Sequence, residues 1–180
     1  MALPQYQVIQ NAYLVNDIDE AVRRLNRQAG YGPWMMLRHV DLPRVWYRGQ
    51  PAVIDMSGAF TQAGDVQIEL IQVHSGGPSC YRDIYPVGKQ GFHHTAMFVP
   101  DYEEAYAAFE AAGCPCAQLF ELPDGGVAAY MDTSAVNGHM IEIYKESSGI
   151  RALYSTVREF CAGHPRDAVM DGGSVTGIMV

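Results

Sequence analysis

The sequence has no excess of positive charge, no long apolar run and no CxxC cysteine pair, and each absence removes a class of function. Lys and Arg number 12 against 20 Asp and Glu, a formal net charge of −8. The basic footprint that nucleic acid requires is therefore missing, as is any general attraction to an anionic membrane surface. No apolar stretch of about 18 residues is present to form a transmembrane helix. The opening segment, MALPQYQVIQNAYLV, has neither a basic start nor a small-residue cleavage pattern, so a signal peptide is not expected. The cysteines, Cys80, Cys114, Cys116 and Cys161, are too sparse for a disulfide scaffold and point to a reducing, cytoplasmic setting. No glycine-rich phosphate loop and no serine nucleophile elbow occurs. What remains is a chain of 180 residues, 48% of them apolar, which can bury the core of a single domain.

An internal repeat organises that chain. The segment Gln10 to Leu25, QNAYLVNDIDEAVRRL, aligns with His94 to Phe109, HTAMFVPDYEEAYAAF. In both, an apolar strand runs into Asp-x-x-Glu and then into a helical pattern. This spacing lets the Asp side chain accept from a first-turn amide while the Glu reaches back. A second pair also matches: Val66 to Val73, VQIELIQV, and His139 to Glu146, HMIEIYKE. Each half thus begins with one recurring strand and ends with another. The pattern predicts an α+β fold of two βαβββ modules, residues 8–73 and 92–145, within one domain spanning 1–180. Trp34 to Val40 and Ala52 to Phe60 read as the first module's middle strands. His74 to Gly91, rich in Gly, Pro and Ser, reads as the linker. A further helix is predicted over 148–162, with Ile150, Leu153, Tyr154, Val157 and Phe160 as its stripe. The tail, 163–180, has little periodicity and is expected to be loose or to pair with a partner chain.

The repeat places four polar residues at matching positions on apolar strands: Gln10 with His94, and Glu69 with Glu142. Alternate side chains of a strand share a face. If the halves form two curved sheets around a cleft, one amide oxygen, one imidazole and two carboxylates converge. Such nitrogen and oxygen donors suit Zn²⁺, Ni²⁺, Co²⁺, Mn²⁺ or Fe²⁺ rather than a thiolate site. Taken singly, each has a plainer reading: a Glu between aliphatic residues is usually the outward residue of an amphipathic strand. His93 and His139 alternate away from the ligand strands, toward the outer face or a supporting role. Tyr81, Arg82 and Tyr85 lie in the linker, where packing is the ordinary reading and covering a site the functional one. For Arg38 and Arg44 a surface cation is the ordinary reading and holding an anionic substrate the functional one.

The duplicated βαβββ pattern, GFHHTAMF and GHMIEIY make the chain resemble the vicinal oxygen chelate superfamily over about Val8 to Lys145. This superfamily includes glyoxalase I, methylmalonyl-CoA epimerase, extradiol dioxygenases and bleomycin-binding proteins. The resemblance implies metal ligands Gln10, Glu69, His94 and Glu142, an order similar to the zinc-type glyoxalase I set, so that zinc is favoured. It also implies Glu142, with Glu69 on the other side of the cation, as the base that takes a proton from a carbon next to a carbonyl. The expected activity is that of a lyase or isomerase, glyoxalase I-like or acyl-CoA epimerase-like, with a metal-stabilised enediolate. Its substrate would be a small carbonyl compound such as a glutathione or CoA conjugate. A metal-dependent dioxygenase is the alternative within the superfamily, although a single His among the four positions departs from that pattern. A non-catalytic, resistance-type binding protein is the other alternative. A homodimer is expected on the resemblance.

Overall fold

A computed structural model describes residues 5–122 and 124–178. The first four residues of the opening segment and the last two of the tail lie outside the described residues. The expected α+β class holds: twelve strands form one mixed sheet carrying helices on both faces.

The first half contains β1 (Gln10–Leu14), α1 (Ile18–Ala29), β2 (Trp34–Leu37), β5 (Met56–Ala63) and β6 (Val66–Val73), with the short β3 (Arg44–Tyr47) and β4 (Gln50–Ala52) between β2 and β5. The linker holds a single-turn helix, α2 (Cys80–Ile84). The second half contains β7 (Gly91–Phe98), α3 (Tyr102–Ala111), β8 (Cys116–Glu121), β9 (Val127–Met131), α4 (Ser134–Asn137) and β10 (Met140–Lys145). Helix α5 (Ser148–Gly163) and the hairpin β11 (Ala168–Asp171) and β12 (Ser174–Gly177) complete the chain. Both Asp-x-x-Glu segments cap helices: Asp17 accepts from the Glu20 amide and Asp101 from the Glu104 amide, each at 2.9 Å. These bonds satisfy amides that have no partner within the first turn.

The strand order is β12-β11-β2-β5-β6-β1-β7-β10-β9-β8-β3-β4. The two halves join edge to edge through the antiparallel pair β1 and β7. That pairing uses the free edge of each half, which would otherwise be left unbonded. Helices α1 and α3 cover the outer face. There Ile18, Ala21 and Val22 meet Ile68 and Leu70, while Ala105 and Phe109 meet Met97 and Ile143. The inner face carries Ala12, Ala96, Tyr130, Met140 and Tyr144, with Tyr81 of α2 and Ile150 of α5 packed against them.

Two segments differ from the sequence expectation. The stretch expected as one strand from Ala52 to Phe60 is divided. Its start pairs back on β3 as a hairpin, and β3 adds to β8 at the far edge of the second half. The turn residues Arg48 and Gly49 both have positive φ, 49° and 76°, as the tight two-residue hairpin requires. Pro51 is tolerated because β4 is the terminal strand. The described part of the tail likewise pairs with its own chain rather than staying loose. Strand β11 adds parallel to β2, and the Gly172-Gly173 turn folds β12 back on it.

An ion-pair clasp helps to hold that tail. Arg38 reaches Asp19 of α1 at 2.6 Å and Asp171 of β11 at 2.9 Å. Its hydrogen bonds hold the Asp19 carboxyl below the usual carboxylate range. A carboxyl whose pKa falls on folding adds stability above its unfolded-state pKa and loses it as pH drops through the folded value. The groups are part-exposed, so screening limits the gain to at most about 1 kcal/mol. Asp19→Asn should lower the urea midpoint slightly at neutral pH. It should leave the midpoint unchanged in acid, where the parent carboxyl is also neutral.

Candidate metal centre

The sheet register brings the four residues together. Gln67, Gln10, Ala96 and Glu142 lie side by side on one rung across β6, β1, β7 and β10. Glu69, Ala12, His94 and Met140 occupy another, two residues along each strand. All eight therefore point to the inner face. Two alanines, Ala12 and Ala96, stand between the longer side chains at the middle of the sheet. The halves are related about the β1–β7 seam, so Gln10 matches His94 and Glu69 matches Glu142 in space as well as in sequence.

The four side chains are buried, from wholly enclosed His94 to 7% exposed Glu69. His94 Nε2 lies 3.1 Å from Glu142 Oε2 and 3.7 Å from Glu69 Oε2. The Tyr144 hydroxyl donates to Glu142 Oε2 at 2.7 Å and lies 3.4 Å from Gln10 Oε1. Gln10 Nε2 donates to Gln67 Oε1 at 2.6 Å, which turns the Gln10 carbonyl oxygen toward Tyr144. Despite the two nearby carboxylates, His94 Nε2 has no hydrogen-bond partner among the described residues. The contacts are close, but their direction does not suit an N–H. A buried polar atom without a partner is costly, and a cation lying between Nε2 and the carboxylate oxygens would give it one. Burial, and then the facing Glu142, push the Glu69 pKa well above the ordinary carboxylate value. Two buried carboxylates near one imidazole are thus short of positive charge.

Several further residues support this cluster. His93, for which the outer face and a supporting role are both sequence expectations, is fully buried, with Nδ1 2.9 Å from His94 Nδ1 and Nε2 3.2 Å from the Cys80 carbonyl. Ala12 pairs with His94 and Tyr13 with Phe92, so His93 is the extra residue of a β-bulge. A bulge sends consecutive side chains to related directions instead of alternating them. Burial, then neighbouring His94, lower the His93 pKa to about 3. Tyr81, from the linker, is also fully buried; its hydroxyl donates to Tyr130 at 3.1 Å, and its ring lies 4.7 Å from His93. Tyr154 of α5 donates to the Tyr144 hydroxyl at 3.2 Å. Gln67 and Tyr144 each stand two residues from a carboxylate on the same strand, so strand alternation alone would have found them.

The remaining candidates lie elsewhere. Arg38 holds Asp19 and Asp171, and Arg44 pairs with Glu121 at 3.0 Å. Arg82 donates to the Val73 carbonyl at 3.4 Å, and Tyr85 to the Phe92 carbonyl at 2.9 Å. His139 Nδ1 contacts the Asn137 carbonyl at 2.9 Å. All four proposed donors come from one chain, so the expected homodimer is not needed to complete the set.

Comparison with known proteins is consistent with this architecture. The model of the family described as the Glyoxalase/Bleomycin resistance protein/Dioxygenase superfamily matches residues 9–130. No curated protein matches the chain in sequence. Among solved structures, a hypothetical protein from Bacillus halodurans is 19% identical, with a TM-score of 0.56, covering 81% of this chain and 97% of its own. The methylmalonyl-CoA epimerase from Mycobacterium tuberculosis is 13% identical, with a TM-score of 0.55 and coverage of 84% and 97%. A variant of the Streptomyces coelicolor methylmalonyl-CoA epimerase, in complex with 2-nitronate-propionyl-CoA, is 12% identical, with a TM-score of 0.51 and coverage of 77% and 96%. At these identities the likeness is one of fold. Among the described residues, no helix is long and apolar enough to cross a membrane.

Proposed function

Since the chain belongs to the Glyoxalase/Bleomycin resistance protein/Dioxygenase superfamily, we propose that its inner-face cluster holds a divalent cation and removes a proton from a carbon next to a carbonyl. The observation that carries this reading is the unpartnered, buried His94 Nε2 beside the carboxylates of Glu69 and Glu142. Gln10, Glu69, His94 and Glu142 offer nitrogen and oxygen donors that fit a borderline cation, zinc above all. When bound, such a cation supplies Lewis acidity toward a carbonyl oxygen.

The chain's own residues do the rest. Glu142 is the base. Its Oε2 is engaged by Tyr144 and faces His94, which leaves Oε1 to take the proton. Tyr154 holds Tyr144 in turn, so the carboxylate is oriented by a short chain of hydroxyls. Glu69 stands across the cluster and is the second group able to hold a proton. The apolar packing of Tyr81, Ile150 and Met140 excludes water, which strengthens each charge interaction within. Tyr81 of α2 and Tyr154 of α5 lie over the inner face.

An acyl-CoA thioester is the favoured substrate class, since the epimerases that share this fold act on one; a glutathione hemithioacetal is the second. The test is metal analysis of the purified protein, followed by solvent-deuterium exchange into both substrate classes. A stoichiometric divalent cation and exchange at the carbon next to the carbonyl support the proposal. Full turnover by metal-stripped protein, or no exchange with either class, refutes it. Oxygen uptake with an iron-loaded sample would move the assignment to the dioxygenase alternative.

A further inference from the structure

A second set of metal-ligand side chains lies outside the inner face. His39 follows β2, Asp55 precedes β5 and His74 follows β6. One nitrogen of each imidazole and one oxygen of the carboxylate all lie within 4.8 Å of one another. We propose that these three residues form a separate, surface divalent-cation site that fastens together three segments of the first half.

The backbone already holds the three in place. The His74 amide donates to the Asp55 carbonyl at 2.8 Å, and the Val40 amide to the Met56 carbonyl at 2.8 Å. The hydroxyl of buried Ser57 lies 2.8 Å from His74 Nε2 and accepts from the His39 amide at 3.1 Å. A metal-binding histidine is commonly oriented by such a bond. The two rings stack at 4.5 Å between centroids. His39 has a φ of 46°, a conformation that a non-glycine residue adopts only when its surroundings hold it there. Asp55 Oδ1 contacts His39 Nδ1 at 2.7 Å, a bond that cation binding would replace with two metal bonds.

Two imidazoles and one carboxylate suit zinc, nickel or copper better than calcium or magnesium. Three protein ligands leave at least one position for water. His74 also opens the linker that carries Tyr81 to the inner face, so an occupied clasp would anchor the linker's first residue.

The test is equilibrium dialysis of the full chain against Zn²⁺, comparing the parent with His39→Ala/His74→Ala and with Asp55→Asn. The imidazole of His39 and the carboxylate of Asp55 are 65% and 47% exposed, so these variants should stay folded, as circular dichroism will verify. If the inner-face site also binds zinc, the double variant should fall from two bound equivalents to one. If that site binds none, the count should fall from one to zero, so failure of either proposal is recognised separately. Asp55→Asn should bind zinc at the clasp at least tenfold more weakly. Unchanged stoichiometry and affinity in both variants, or a parent that binds no zinc, overturns the clasp.

Discussion

Glu142→Gln is expected to leave the fold intact and to lower turnover more than about a hundredfold, the scale on which a positioned general base acts. The amide has nearly the same shape as the carboxylate, and its oxygen still accepts from the Tyr144 hydroxyl that now lies 2.7 Å from Glu142 Oε2. What it lacks is the ability to take a proton, together with the charge facing His94 at 3.1 Å. Loss of that charge also weakens cation binding, so the assay belongs at saturating cation with bound metal measured alongside. The informative result is a fall in kcat with metal content restored. Glu69→Gln is the matched control, because Glu69 faces the same imidazole from the other half at 3.7 Å. If Glu69→Gln is crippled and Glu142→Gln is near native, the two carboxylates exchange roles. If both retain near-native turnover, neither is the base.

That the pair can be named at all follows from the duplication. A polar residue on one apolar strand carries little information, but Gln10 with His94 and Glu69 with Glu142 recur, and the sheet sets each pair symmetrically about the β1–β7 seam. The helix starts were legible for a different reason: Asp17 with Glu20 and Asp101 with Glu104 act within one turn and need no distant partner. The sequence leaves His93 between two directions because its placement depends on a bulge against Ala12 and Tyr13, a long way back in the chain. Nothing within GFHH marks such a mismatch. The β3–β4 hairpin was hidden because its first turn position is Arg48 rather than Asn or Asp. This arginine is held in place by bonds to Asp83 at 2.7 Å and Asp132 at 2.6 Å, both far away in sequence. The tail did carry a local sign, the Gly172-Gly173 turn. Its docking edge, however, is β2, more than a hundred residues earlier, and local periodicity cannot report that.

Gly32→Ala should show how much stability that docked tail contributes. Gly32 has a φ of 141°, which a residue with a side chain rarely adopts, and a Cβ there would fall 2.2 Å from the backbone oxygen of Arg166. The obstacle is backbone, so no rotamer change relieves it. Either the segment entering β2 shifts or the chain between α5 and β11 does, and both edges belong to the β2–β11 ladder. Backbone strain of about 1–3 kcal/mol adds to the lost pairing. A total near 3 kcal/mol or more is expected, with a melting temperature lower by about 6–12 °C for a chain of this size. Gly49→Ala is the comparison: its φ is also positive, 76°, but no atom of the described residues lies within 4 Å of its added Cβ. It should lose only about 1 kcal/mol, through conformational strain. Equal losses in the two variants would mean that strain alone accounts for both, and that contact with Arg166 does not fix the tail. A much larger loss for Gly32→Ala, together with faster proteolysis after α5, would show that the tail forms an integral edge of the sheet. Helix α5 would then be tethered at both ends, by β10 and by β11, while its Tyr154 supports the hydroxyl chain that orients Glu142.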